Sequence, residues 1–251
     1  MKQTLRIFGR MLMLSACALV LVALALWLGN RTPRLDDGWT DRERLIIEQS
    51  DSVMYVTVLP EDSVLLRTPS VDLSAEQLAS PELRTLMAKM RATVQSPQQD
   101  GVGIAAPQVG IDRRLIWIQR FDKPGEPFEC YLNPHLDSLY GEMTHGPEGC
   151  LSVPPMRGHV PRYGSVIVSY LHPETLLPQK DTVHGYTAII FQHECDHLDG
   201  TLYIDRADTL FVSIAWADER AAYDYARPAW WPDICLEANQ CLRKRCHELT
   251  K

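Results

Sequence analysis

Residues 185–198 read GYTAIIFQHECDHL, in which aliphatic and aromatic side chains precede two histidines four residues apart. In a helix, residues at this spacing lie one above the other, so His193 and His197 could bind one metal ion from the same face. Glu194 would then lie beside the ion, where it could take a proton from a bound water. The apolar run before the motif predicts that the helix is buried, where unpaired polar groups would be costly. The sequence therefore predicts a buried helix that carries a metal site.

Two imidazoles leave a catalytic metal one ligand short, and two residues could supply the third. In one class of zinc protease this ligand is a glutamate downstream of the helix, which here would be Glu219. Alternatively, Cys150 could supply a thiolate from the segment PEGCLSVP, residues 147–154. Glycine and proline bound this segment, which suits a loop or strand that aims one side chain. A Cys/His/His set with an open fourth position is a known catalytic geometry, and the spacing alone leaves both candidates open.

A third segment, GVGIAAPQ at residues 101–108, alternates glycine with aliphatic residues and ends on the amide of Gln108. It is not a dinucleotide-binding fingerprint, because the third glycine and the following helix are lacking. In this order, the three segments resemble the motifs of the peptide deformylase family: Gly-aliphatic-Gly-aliphatic-Ala-Ala-x-Gln, Glu-Gly-Cys-Leu-Ser and Gln-His-Glu-x-Asp-His. The matching residues are 101–108, 148–152 and 192–197, within a similarity that runs from about Met54 to Arg206.

The resemblance implies a metal site and a reaction. Cys150, His193 and His197 would hold one divalent ion, ferrous iron in the family, which zinc, nickel or cobalt can replace. A hydroxide on the metal would attack the formyl carbon of an N-formylmethionyl peptide or protein N-terminus and release formate. Glu194 would act first as general base and then as the acid that protonates the departing amine. This reaction is a step of N-terminal methionine processing in protein biosynthesis.

The resemblance also implies how the substrate is held. The side-chain amide of Gln108 and the backbone N–H of Leu151 would bind the oxyanion that develops on the formyl oxygen. The backbone at Gly103 and near Gly149 would pair with the substrate chain in the manner of a β-strand. The pocket for the methionine side chain would be lined by Val102, Tyr186 and Ile189.

Short apolar runs separated by glycine and proline predict strands in the middle of the chain. These runs are residues 54–58, 114–118, 129–132 and 165–170. Between the first two, Pro81–Val94 places apolar residues at helical spacing and begins on a proline, which a first helical turn tolerates. Because the strands cluster and the helices do not strictly alternate with them, the pattern is α+β. The resemblance implies short, mainly antiparallel strands packed around the central HExxH helix.

Residues 11–28 contain no charged side chain, and a segment of about this length can cross a bilayer core. Three basic residues precede it, as in a signal peptide or signal anchor. We therefore expect residues 1–28 to be a membrane anchor or signal segment; a lipoprotein cleavage box ending at Cys17 and a buried soluble helix are the alternatives. Basic residues flank the segment almost equally, and its place at the N-terminus favours export of the rest of the chain to the periplasmic face.

The remaining chain is predicted to comprise a polar segment at residues 29–53, either a tether or a short helix, then a catalytic domain at 54–206 and a helical extension at 207–251. The net charge of −7 and the lack of a basic run argue against a nucleic-acid partner. The seven cysteines contain no CxxC pair and do not suggest a disulfide framework. Besides a deformylase, two other functions are possible: a metalloprotease that uses Glu219, and a protein that binds formyl-peptides without turnover.

Overall fold

The computed structural model describes residues 38–212 and 230–231, in which helices and antiparallel strands alternate irregularly. The helices are α1 (Asp41–Gln49), α2 (Ser63–Leu66), α3 (Ala75–Ala79), α4 (Pro81–Val94), α5 (Gly185–Leu198) and α6 (Tyr203–Arg206). The strands are β1 (Gly103–Ala105), β2 (Leu115–Gln119), β3 (Phe128–Gly149), β4 (Met156–Leu171), β5 (Pro178–His184) and β6 (Thr209–Val212), and a 3₁₀ turn spans Ala106–Val109. The predicted α+β class is confirmed, and α4 and α5 have the predicted bounds.

The strands form an antiparallel sheet in the order β1-β2-β3-β4-β5, and β6 also pairs with β4. β3 and β4 make a long hairpin, whose register runs from Leu132 opposite Leu171 to Gly149 opposite Arg157. The other edge of β4 pairs with β6 near its start and with β5 near its end. Among the described residues β1 pairs with β2 alone, so one edge of Gly103–Ala105 has no strand partner.

The predicted strand at residues 54–58 is wrong, whereas the other three predicted strands lie in β2, β3 and β4. This segment is buried, but its backbone bonds to several different parts of the chain. The Thr57 N–H donates to the Gln108 carbonyl at 2.8 Å, and the Met54 N–H donates to the Thr93 hydroxyl at 2.8 Å. Its apolar residues are therefore buried without a ladder, a distinction that hydrophobic pattern alone does not make.

Two of the three groups of buried apolar side chains hold the longer helices against the sheet. One joins α1 and α4 to β2, through residues such as Ile46, Leu86 and Leu115. The other places α5 on the sheet through Phe191 and Cys195, and the Phe191 ring meets the Tyr131 ring edge-on at 4.8 Å between centroids. Because this face of α5 packs against the sheet, the polar residues of the helix lie on its other faces.

The segment predicted as a polar tether or short helix, residues 29–53, contains the helix α1 in its second half. Thr40 caps the helix: its hydroxyl accepts from the Glu43 N–H, and the Glu43 side chain accepts from the Thr40 N–H. Trp39, Ile46 and Ile47 are buried in the same apolar group as α4. The hydrophilic composition of the segment hid one apolar face, which makes α1 part of the folded domain.

The helical extension predicted from residue 207 is also wrong at its start. Thr209–Val212 form β6, which pairs with Met156–His159 of β4. Its β-branched and aromatic residues suit a strand, and an available edge of β4 overrides any local helical preference. Residues 213–229 and 232–251, with Glu219, lie outside the described residues, as do residues 1–37 with the predicted anchor. In the described part of the chain, no helix is both long and apolar enough to span a bilayer.

We expect Ile46→Ala to lower the free energy of unfolding by about 2–5 kcal/mol, because Ile46 is fully buried and the truncation leaves a cavity. Leu45→Ala on the same helix is the matched control: Leu45 is 36% exposed, and its loss should cost about 0.5 kcal/mol or less. Urea unfolding at fixed metal loading measures both. Equal, small effects would contradict the placement of α1 in the core.

Candidate metal centre

Helix α5 and the turn after β3 bring three potential metal ligands together. The ligand atoms of Cys150, His193 and His197 all lie within 4.8 Å of one another. The Cys150 Sγ lies 3.1 Å from the His197 Nε2 and accepts a hydrogen bond from the Ser152 N–H at 3.4 Å. A thiolate and two imidazoles suit a borderline divalent metal and leave a fourth position open. The residues present therefore fit the metal that the resemblance implies.

The orientation of His193 is set by a buried carboxylate. The His193 Nδ1 lies 2.8 Å from the Glu148 Oε2, which directs the other ring nitrogen towards the ligand cluster. Arg162 holds Glu148 with two hydrogen bonds, at 2.8 and 3.0 Å. Burial raises the pKa of Glu148, but hydrogen bonds from His193 and Arg162 outweigh it and lower the pKa to about 2. The carboxylate is therefore charged whenever the site is in use.

The same arginine ties the sheet to the metal-site helix. The Arg162 Nη1 donates to Asp196 at 2.6 Å, and Arg206 donates to both oxygens of Asp196 at 2.7 and 2.8 Å. Sequence reasoning assigned no role to Glu148 or Arg162. Glu148 could have been found, because a buried ligating histidine needs a partner for its second nitrogen. Arg162 gave no local signal, since only the β3–β4 pairing brings it to the site.

Gln108 lies above the ligand cluster with its amide group in a fixed orientation. The Ala105 N–H donates to the Gln108 Oε1 at 2.9 Å, so the amide nitrogen is the end that faces the site. That nitrogen lies 3.6 Å from the Cys150 Sγ and 3.3 Å from the Ser152 hydroxyl. The backbone N–H of Leu151, in the turn after Cys150, has no protein acceptor among the described residues. The Gln108 amide thus donates to groups of the cluster itself, and the Leu151 N–H next to Cys150 is a second donor.

Glu194 is buried beside the cluster with one oxygen left over. Among the described residues its Oε2 has no hydrogen-bond partner, although the side chain is buried. Burial raises the pKa of Glu194 to about 7, partly opposed by the charge of His193. A Cβ at Gly103 would lie 2.5 Å from the Glu194 Oε1, so only glycine lets β1 pass so close. An unsatisfied carboxyl with a pKa near neutrality is the usual state of a general base.

The residues predicted to contact substrate lie on or next to β1, at the end of β3 and on the first half of α5, and their exposure differs. Gly103 is in β1 itself, and Val102 just before it is half-buried. Ile189 is half-buried on the first half of α5, whereas Tyr186 is 55% exposed. The Tyr186 ring nevertheless contacts Phe121, at 5.3 Å between centroids. Phe121 was not predicted, because it follows β2 without any motif.

A buried helix that carries HExxH and an upstream cysteine at the same cluster are together typical of a metal-dependent hydrolase. The class can be narrowed further, because the family model for polypeptide deformylase matches residues 54–211. The chain belongs to this family. The resemblance noted from the sequence motifs is thereby confirmed.

Individual relatives agree with this assignment. A peptide deformylase of Leptospira biflexa is 35% identical over 156 residues, which are 59% of this chain and 86% of the relative. Peptide deformylase 2 of Bordetella bronchiseptica is 42% identical over 137 residues, or 52% of this chain and 76% of the relative. The crystal structure of a class I type b peptide deformylase from Acinetobacter baumannii, bound to Met-Ala-Ser, superposes on this chain with a TM-score of 0.55 and 38% sequence identity. The matched region covers 61% of this chain and 98% of the Acinetobacter baumannii chain.

We expect Glu148→Ala to weaken metal binding by about 10- to 100-fold, because it removes the partner that orients His193. Competition against a chelator of known affinity measures this. Glu142→Ala, an exposed carboxylate on the same strand, is the control and should bind metal like the parent chain. Parent-like affinity in Glu148→Ala would show that the contact does not support the site.

Proposed function

We propose that the chain hydrolyses the formyl group from N-formylmethionyl peptides or protein N-termini and releases formate. The observation that carries the proposal is the cluster of Cys150, His193 and His197 beside a buried, unsatisfied Glu194. Membership of the polypeptide deformylase family supports it. So does the bound Met-Ala-Ser of the Acinetobacter baumannii enzyme, since a peptide that begins with methionine is what deformylation leaves.

We propose ferrous iron as the metal held by Cys150, His193 and His197, with zinc, nickel or cobalt able to replace it. The thiolate and imidazole donors alone would equally suit zinc, so iron rests on the resemblance to the family. When bound, the metal supplies a Lewis acid that polarises the formyl carbonyl and lowers the pKa of water in its open position. Glu148 supports the ligand set from outside, through the Nδ1 of His193.

Glu194 moves the proton. Its carboxylate accepts a proton from the attacking water, whose oxygen forms the new bond to the formyl carbon. When the carbon–nitrogen bond breaks, Glu194 returns that proton to the departing amine of methionine. Burial, which raises the pKa of Glu194, favours the return of the proton. The Gln108 amide and the Leu151 N–H hold the negative charge on the formyl oxygen in between.

The free edge of β1 suits an extended peptide. Gly103 would pair with the substrate backbone there, and Gly149, next to Cys150, would pair with it on the other side. Val102 and Ile189, half-buried beside this edge, and the exposed Tyr186 would line the methionine pocket. Backbone pairing gives affinity without regard to sequence, so selection falls on the first side chain.

Glu194→Ala should reduce formate release from formyl-Met-Ala by at least about 10²-fold while the metal stays bound, because Glu194 moves a proton but is not a ligand. Turnover is measured on anaerobically purified, iron-loaded protein, and metal content by elemental analysis. Glu142→Ala should turn over normally. Normal formate release by Glu194→Ala would overturn the mechanism.

Two results would favour the alternatives. If the metal-loaded parent chain binds formyl-peptide but releases no formate, it is a binding protein. If Cys150→Ala keeps its metal and Glu219→Ala loses it, the chain is a metalloprotease of the glutamate-ligand class. The second alternative leaves the positions of Cys150 and Gln108 beside the cluster without a purpose.

We also propose that residues 11–28 attach the chain to a membrane and that the catalytic domain faces the exported side. The support is sequence alone: an uncharged apolar run after three basic residues, placed at the N-terminus. A domain on that side would act on formyl-peptides outside the cytoplasm or on formylated exported proteins.

Full-length protein expressed in a bacterium should stay in the membrane pellet after an alkaline carbonate wash, since an inserted apolar segment resists extraction. The chain that starts at Gly29 is the control and should be released. Alkaline phosphatase joined to the C-terminus should be active, because it folds only after export. An inactive fusion on a membrane-bound chain would instead place the domain in the cytoplasm.

A further inference from the structure

The family model matches residues 54–211. Two parts of this chain outside that range pack next to the turn that carries Gln108. One is helix α1 and the other is Trp231, which is buried although it lies far along the C-terminal extension. Both belong to the apolar group that also contains Val109. These added segments therefore touch the scaffold of the proposed oxyanion site.

Their contacts converge on Gly110, the residue that ends the 3₁₀ turn. A Cβ at Gly110 would lie 2.6 Å from the Trp231 ring and 3.0 Å from the Ile46 side chain. The Arg42 guanidinium of α1 donates to the Gly110 carbonyl at 2.7 Å. Trp231 is itself held by an edge-on contact with Tyr55, at 4.8 Å between ring centroids. Gly110 is thus enclosed by an indole, an aliphatic chain and a guanidinium.

The position of Gly110 is transmitted directly to Gln108. The turn is closed by two backbone hydrogen bonds, from the Gly110 N–H to the Pro107 carbonyl at 3.1 Å and from the Ile111 N–H to the Ala106 carbonyl at 3.0 Å. With only one residue between Gln108 and Gly110, a shift of the glycine tilts the turn. The amide of Gln108 lies 3.6 Å from the Cys150 Sγ, so a small tilt changes its distance to a substrate oxygen.

We infer that Trp231 is a positioning residue for the reaction: it braces the Gly110 turn and thereby aims the Gln108 amide at the developing oxyanion. The inference rests on the proposed role of Gln108. The described contacts of Trp231 are with Tyr55, Trp230 and Gly110, not with the ligand cluster. Its effect therefore reaches the substrate only through the turn. It makes oxyanion stabilisation depend on a part of the chain that the family match does not include.

Trp231→Ala in the full-length, metal-loaded chain should lower kcat by about tenfold with an unchanged KM for formyl-Met-Ala, because misplacing a donor weakens only the transition state. Gln108→Ala should lower kcat by about 10²–10³-fold. In the Gln108→Ala background the further change to Trp231→Ala should have no additional effect, since no amide is left to aim. Trp231→Phe, which keeps a ring against Gly110, should restore most of the activity.

Trp39→Ala is the matched control, because it removes the same side chain from the same apolar group, whereas the Trp39 indole donates to Ser80, the residue that caps α4. It should lower the thermal midpoint but leave kcat nearly unchanged when assayed below unfolding. If Trp231→Ala does not fold, Trp231→Leu replaces it in the cycle. Additive losses in the double variant would overturn the inference and leave Gln108 in place. An unchanged kcat in Gln108→Ala would refute the role of Gln108, and the inference with it.

Discussion

The metal site depends on one buried cation, Arg162, which is only 3% exposed. It pairs with Glu148 on β3 and with Asp196 on α5, so one cation links the strand before the cysteine ligand to the helix of the histidine ligands. Removing one partner from such a buried network typically costs about 3–5 kcal/mol, because the remaining charges are left without compensation. The arrangement ties the two ligand-bearing elements together without using any ligand atom.

Around this network, the two buried glutamates of the site differ in their hydrogen bonding. Glu148 accepts hydrogen bonds from Arg162 and meets His193, whereas the Oε2 of Glu194 has no partner among the described residues. Leaving a buried carboxyl oxygen unpaired costs stability, and burial raises the pKa of Glu194 accordingly. The fold tolerates this cost next to Gly103, where the missing side chain provides the space that Glu194 occupies.

Sequence alone predicted those features of the fold and the metal site that depend on the spacing of nearby residues. The bounds of α4 and α5 follow from helical periodicity, and the three ligands came from motifs whose residue types limit their chemistry. The parts that depend on long-range pairing were missed. Arg162 reaches the site only because β3 and β4 form a hairpin, and residues 209–212 become a strand only because β4 offers an edge. Likewise the hydrophilic α1 is ordered by capping and by a narrow apolar face.

Position 110 requires glycine for two separate reasons, its backbone conformation and the lack of space for a side chain. Its φ of +87° lies in the left-handed region that other residues rarely adopt, and a Cβ on it would lie only 2.6 Å from the Trp231 ring. The first reason comes from the turn, but the second exists only because α1 and Trp231 cover it. Because the Trp231 ring fills the space next to Gly110, a displacement of Trp231 would displace the end of the turn. A segment added outside the matched domain can therefore influence the site without contributing an atom to it.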